Sequence, residues 1–141
     1  MTHTRIRKFN TAETYPEQKL DNDLCQAVVA EPGRTVFLRG QVAQDLKTRE
    51  SQHIGDAGAR AGLAMANIKM LMEEAGGEMG DICRIVVYLT DIRYREDVYR
   101  EMGKWLKGVF PVSTGLVVPA LARPEWLVEI EATGVIPAER S

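Results

Sequence analysis

Residues 67–92 read NIKMLMEEAGGEMGDICRIVVYLTDI, and two periods meet in them. Ile68, Leu71, Met72 and Ala75 recur at helical spacing. Gly76 and Gly77 then stop the helix, because glycine takes the left-handed cap conformation without a Cβ clash. After a short polar turn the period changes. In Ile82–Leu89 (ICRIVVYL) Cys83, Ile85, Val87 and Leu89 form one apolar strand face, and Arg84, Val86 and Tyr88 form a mixed one. An amphipathic helix running into such a strand requires a layer of helix packed on sheet.

Working outward, the helical stripe extends back through Met65, Ala64, Ala61 and Ala57 to Ile54. Arg60, Asn67, Glu73 and Glu74 fall mostly off it. Upstream, Leu24–Ala30 (LCQAVVA) and Thr35–Val42 (TVFLRGQV) read as strands joined by the turn chemistry of EPGR, which predicts a hairpin. Thr4–Phe9 is a short first strand, with a polar loop at 10–23 and a charged loop at 44–53. Downstream, Asp91 caps a second helix over roughly 93–107, with Val98, Met102, Trp105, Leu106 and Val109 as its buried stripe and Gly108 as its stop. Val112–Val118 and Leu127–Ile136 are the last strands, and PALARPEW turns between them. The class is α+β: a single domain over residues 1–141, with two helices on one face of a mixed sheet.

Composition narrows the function. The 141 residues are 45% hydrophobic and 27% charged, with a formal net charge of -2. The pI of 5.7 gives no dense positive footprint for nucleic acid. Arg5 with Arg7 and Lys8, and Arg93 with Arg95, read as solvated surface. No apolar run resembles a leader or a membrane span, and Cys25 and Cys83 read as buried reduced thiols, so the cytoplasm is expected. His3 and His53 have no metal-ligand spacing, so no metal is expected, and no phosphate-binding glycine loop follows a strand.

The chemistry must then come from the sheet. Glu129 and Glu131 alternate with Val128, Ile130 and Ala132, so both carboxylates point away from the helices. A carboxylate in a cleft can position or deprotonate water; on open surface it is merely solvated or ion-paired. Arg39 projects to the same side if Val36 and Leu38 face the helices. Its planar fork suits a substrate carboxylate, or equally a glutamate on a neighbouring strand. This face also carries Phe37, Val86 and Tyr88, too apolar for open solvent and too charged for a core. Self-association would resolve the conflict and leave charged clefts at the subunit boundaries; the alternative is a monomer with an apolar face.

The run TVFLRGQVAQD, the block NIKMLMEEAGGEMGDICRIVVYLTDI, then FPVSTGLVV and LVEIEATGVI, resemble the Rid family (RidA/YjgF) of enamine/imine deaminases over about residues 24–137. The resemblance implies a chorismate-mutase-like fold and a homotrimer whose sheets form a central barrel with clefts between subunits. It implies cofactor-free hydrolysis of small imines to keto acids and ammonia. It places the water-orienting glutamate at Glu129. The family's carboxylate-gripping arginine is replaced by Ser113, or by Thr114 if the gap moves, and its cysteine by Gly115. A tyrosine of the N-terminal segment is matched by Leu24, an asparagine of the second helix by Tyr99, and the serine before Gly-Gln by Arg39. Arg39 then brings a guanidinium back from another strand, for a remodelled carboxylated substrate or for a ligand bound without catalysis. Endoribonuclease activity, also attached to the family's name, fits poorly with the acidic pI.

Overall fold

Apolar alternation runs nearly the whole length of the last strand, and the sheet is built around it. The computed structural model describes residues 3–140; Met1, Thr2 and Ser141 of the expected domain lie outside them. In chain order the elements are β1 (Thr4–Ile6), β2 (Phe9–Asn10), α1 (Thr11–Thr14), β3 (Asp23–Leu24), β4 (Ala27–Val29), β5 (Gly33–Phe37), α2 (Ala57–Glu74), β6 (Ile82–Leu89), α3 (Arg95–Trp105), β7 (Val112–Val117) and β8 (Val128–Pro137). The main sheet has the order β5-β8-β6-β7. Its pairs are antiparallel except β6 with β7, which run parallel with α3 as the crossover between them. The fold is therefore α+β, a mixed sheet with two long helices.

The core lies between sheet and helices. Ile85, Val87 and Leu89 of β6 and Val128, Ile130 and Ala132 of β8 meet Ala61, Ala64, Met65, Ile68 and Met72 of α2 and Val98 and Met102 of α3. Alanine at 57, 61 and 64, all buried, lets α2 lie close to the sheet. Each large apolar side chain buried here contributes about 1.5–3 kcal/mol, and truncating fully buried Ile130 to Ala would cost about 2–5 kcal/mol. A bulge shifts the β6–β8 register between Ile82 and Arg84. Cys83 thus drops out of the alternation and is only half-buried, while Ile82 enters the core beside Ile85. Both cysteines are free, and burial pushes the Cys83 thiol pKa up.

Several expectations are corrected. The hairpin does not form: β4 pairs with β1, and β5 pairs with β8. Gly33, read as a turn residue, opens β5, where a Cβ would stand 2.0 Å from the Ile136 carbonyl oxygen. Glycine there serves close strand pairing. Thr4–Phe9 splits at Arg7, whose φ of 54° breaks the strand. The polar stretch 10–23 is partly helical, because the Asn10 side chain caps α1 by accepting from the Ala12 N–H. Asp56, not Ile54, starts α2, its carboxylate accepting from the Ala59 N–H, and Ile54 is exposed. Asp91 caps a 3-10 turn over Ile92–Tyr94, and α3 follows it.

Three polar residues are more engaged than their spacing implied. Arg60 is fully buried and donates through Nη1 to the Gln52 carbonyl at 2.6 Å. Buried Asn67 donates to the Gln44 carbonyl at 2.8 Å. Both therefore face inward and tie the 44–53 loop to α2. Arg5, expected on solvated surface, donates to the Ile82 and Gly80 carbonyls and so staples β1 to the start of β6. Among the described residues no helix is long and apolar enough to cross a membrane.

Candidate functional site

The alternation of β8 buries Val128 and Ile130 and turns Glu129 and Glu131 to the opposite face. Past β5 the chain rejoins β8 through a bridge, with Gln41 N–H donating to the Ile130 carbonyl at 2.7 Å and Ile130 N–H to the Gln41 carbonyl at 2.9 Å. The bridge carries Gly40 across the Glu129 carboxylate. A Cβ on Gly40 would stand 2.1 Å from Glu129 Oε2, so the close pass requires glycine.

Glu129 faces two cavities. One, of about 460 Å³, is bordered by Arg39, Gly40, Leu71 and Trp126 as well as Glu129. The other, of about 250 Å³, is bordered by Tyr88, Val118, Leu121 and Glu131 together with Glu129. Burial raises the Glu129 carboxyl pKa; the Arg39 guanidinium opposes the shift and the Glu131 charge adds to it. Glu131 accepts a hydrogen bond from the Tyr88 hydroxyl at 3.0 Å, and that bond is the main cause of the raised Tyr88 pKa. The Arg39–glutamate ion pair left open by the sequence is not formed among the described residues. The two glutamates thus differ: Glu131 is engaged, while Glu129 is half-buried and open to the cavities.

A second group lies across the sheet. Ser113 and Gly115 of β7 pair with Ile85 and Val87, and so face the helices. Tyr99 of α3 packs against them, with its hydroxyl 2.1 Å from where a Gly115 Cβ would be. Burial raises the Tyr99 pKa; the neighbouring Arg95 charge and the Ser113 hydroxyl work the other way. Ser113 Oγ is buried close to that phenol and makes no hydrogen bond of normal geometry. Thr114 pairs with Val86 and lies exposed on the opposite face. Half-buried Leu24 is held beside the start of β7, because Cys25 N–H donates to the Pro111 carbonyl at 3.1 Å.

The expected site residues therefore divide. Arg39 and Glu129 share a cavity. Ser113, Gly115 and Tyr99 cluster on the helix side with Leu24 at the margin, and Thr114 stands apart from both. Two contributors were not foreseen. Arg95 stacks on the Tyr99 ring at 4.5 Å, a contact signalled only by their one-turn separation on α3. Trp126 walls the Arg39 cavity and donates from Nε1 to Ser51 Oγ at 3.1 Å, a loop-to-loop bond with no sequence period to announce it. The histidines take no part: His3 is buried and bonded to the Val135 carbonyl at 2.7 Å, and His53 is exposed. Among the described residues no three His, Cys, Asp or Glu side chains are grouped to hold a metal ion.

The family model described as Endoribonuclease L-PSP matches residues 18–136. The chain belongs to this family, the Rid family. Among similar proteins, protein DfrA of Myxococcus xanthus is 33% identical over 110 residues, 78% of this chain and 82% of its own length. The 2-iminobutanoate/2-iminopropanoate deaminase of Dermatophagoides farinae is 27% identical over 104 residues, 74% and 80% of the two chains. The Rid protein YyfB of Yersinia pestis superposes with a TM-score of 0.78 at 27% identity, covering 96% of this chain and all of its own. Fold and family thus agree with the resemblance read from the strand and helix motifs.

Proposed function

We propose that this Rid-family chain is a cofactor-free deaminase hydrolysing a small carboxylated imine or enamine. The observation that carries the proposal is Glu129, a half-buried carboxylate open to a cavity it shares with Arg39. Arg39 holds the substrate carboxylate through its planar fork. Glu129 accepts a proton from water as the water oxygen bonds to the imine carbon and the C=N π pair moves to nitrogen. The carbinolamine then collapses: protonated Glu129 returns its proton to the nitrogen, the carbinol hydroxyl gives up its own proton to the Glu129 carboxylate as the C=O bond forms, and the C–N bond breaks with its electron pair leaving on ammonia. The raised pKa makes Glu129 a better base than a solvated carboxylate.

The working unit in this proposal is a homotrimer. One copy supplies Arg39 and Glu129; its neighbour supplies Ser113, Thr114, Gly115, Tyr99 and Leu24. The placement of Ser113, Gly115 and Tyr99 on the face away from Glu129 supports that reading. So does Phe37, 80% exposed on the sheet face opposite the helices. A second reading, a ligand-binding trimer without turnover, is favoured by the neutral hydroxyl of Ser113, or of Thr114, at the place that the resemblance matches to the family's arginine.

The test is ammonia release from imines generated in place by an amino acid oxidase. The parent chain is expected to exceed the uncatalysed rate, Glu129→Gln to lose at least 100-fold, and sedimentation to show a species of three times 15.7 kDa. Parent and Glu129→Gln both at the uncatalysed rate, with keto acids still stabilising the fold, would leave the ligand-binding reading standing.

A further inference from the structure

Beyond the Arg39–Glu129 cavity the wall turns strongly basic. An adjoining cavity of about 390 Å³ is bordered by Arg39, Arg49 and Arg123, with Gln44, Asp45 and Trp126. The two cavities share Arg39, Gln44, Leu46 and Trp126, while Glu129 borders only the first. None of the three arginines forms an ion pair among the described residues. The one acidic residue on this wall, Asp45, is turned to its own loop, its Oδ1 accepting from the Lys47 and Thr48 N–H groups at 2.8 Å each. Three guanidiniums against one carboxylate leave the wall at a charge of +2.

The loops carrying these arginines are tied down. Gln44 Nε2 donates to the Arg49 carbonyl at 2.8 Å, and Asn67 of α2 holds the Gln44 carbonyl. Trp126 Nε1 donates to Ser51 Oγ, joining the Arg49 loop to the Arg123 turn. The Arg123 guanidinium lies 5.9 Å from the Trp126 ring centroid. Unpaired guanidiniums on pinned loops, facing one concave space, focus positive potential there and offer planar forks to carboxylate oxygens.

We infer that the substrate carries two carboxylates: one beside the imine, held by Arg39 next to Glu129, and a second at the far end, held by Arg49 and Arg123. This rests on the deaminase reading and names its substrate class, the imino acids of acidic amino acids. Hydrolysis converts C=NH2+ and water to C=O and ammonium, and both carboxylates pass through unchanged.

Calorimetry tests the inference with oxaloacetate and 2-oxoglutarate as dicarboxylate probes, pyruvate and 2-oxobutanoate as monocarboxylates, and phosphoenolpyruvate as a phosphate-bearing acid. The dicarboxylates are expected to bind the parent at least tenfold more tightly than the monocarboxylates. In Arg49→Gln/Arg123→Gln, with its melting temperature confirming the fold, that advantage is expected to vanish. Equal binding of the two classes overturns the inference, as do an advantage that survives the double substitution and tighter binding of phosphoenolpyruvate than of either dicarboxylate. Selective dicarboxylate binding without ammonia release from the matching imine sustains the ligand class and ends the deaminase reading. Hydrolysis of monocarboxylate imines with no dicarboxylate preference sustains the deaminase reading and ends this inference.

Discussion

Gly40→Ala is a direct probe of the Glu129 carboxylate. The added Cβ would lie 2.1 Å from Glu129 Oε2, 2.8 Å from Cδ and 2.9 Å from Cγ. Ordinary contact begins near 3.4 Å, so the carboxylate must retreat by about 1.3 Å. Gly40 is not in the left-handed region, so alanine fits the backbone. The atoms in the way all belong to the Glu129 side chain beyond Cβ, which can rotate aside, and alanine restricts the unfolded chain, which is worth about 0.4–1 kcal/mol. Stability should therefore stay within about 1 kcal/mol of the parent in urea unfolding. Catalysis is less forgiving: a misplacement of about 1 Å can cost on the order of 100-fold, equivalent to about 2.7 kcal/mol of transition-state stabilisation. The expected result is a fall of that size in kcat/KM for imine hydrolysis by a fully folded chain. Combining Gly40→Ala with Glu129→Gln should cost no more than Glu129→Gln alone, because both remove the same group's work. Full activity in Gly40→Ala would refute the reasoning. So would a double variant far below Glu129→Gln, which would mean that the substitution acts elsewhere.

The raised Glu129 pKa predicts an acid limb in the rate profile displaced upward from that of a solvated glutamate, moving further up in Arg39→Gln, where the opposing cation is lost, and down in Glu131→Gln; unmoved limbs would show that another group sets the profile. The same shift has a sign in stability. The folded chain holds this proton more tightly than the unfolded one, so the contribution is present below the unfolded pKa and is lost as pH rises through the folded one. Urea unfolding across that window should show the slope in the parent and not in Glu129→Gln. Gly115→Ala drives a Cβ to 2.1 Å from the buried Tyr99 hydroxyl and should cost about 1–3 kcal/mol. Tyr99→Phe in that background should recover much of it, since the next atom, Cζ, is 3.2 Å away; no recovery would place the strain elsewhere. Fully buried Arg60 leaves Nε and Nη2 without hydrogen bonds. Arg60→Met should therefore leave stability unchanged or raise it by about 1 kcal/mol, and a loss above about 2 kcal/mol in urea unfolding would show the guanidinium to be better satisfied than its contacts imply.

Elements with a period were legible in advance, and those made by pairing were not. The 3.6-residue stripe of α2 and the alternation of β6 and β8 appear in the sequence because burial selects apolar residues at the period of the backbone. The departures have local causes. The Cys83 bulge adds one residue to a strand without breaking its apolar run. The buried Arg60 and Asn67 look polar, and spacing alone cannot reveal that loop carbonyls wait for them.

By itself the sequence determined that Glu129 and Glu131 share a face turned from the helices, since strand side chains alternate whatever the strand's neighbours. It also determined the α+β class and, through the order of its motifs, the Rid family. Only the tertiary structure decided that β5 pairs with β8 rather than β4, because strand partners are chosen by the hydrogen-bonding edge and apolar surface that distant segments present. The same long-range pairing brings Gly40 over Glu129, separates Arg39 from Ser113, and gathers Arg49 and Arg123 from remote loops around one cavity. No spacing along the chain encodes those meetings.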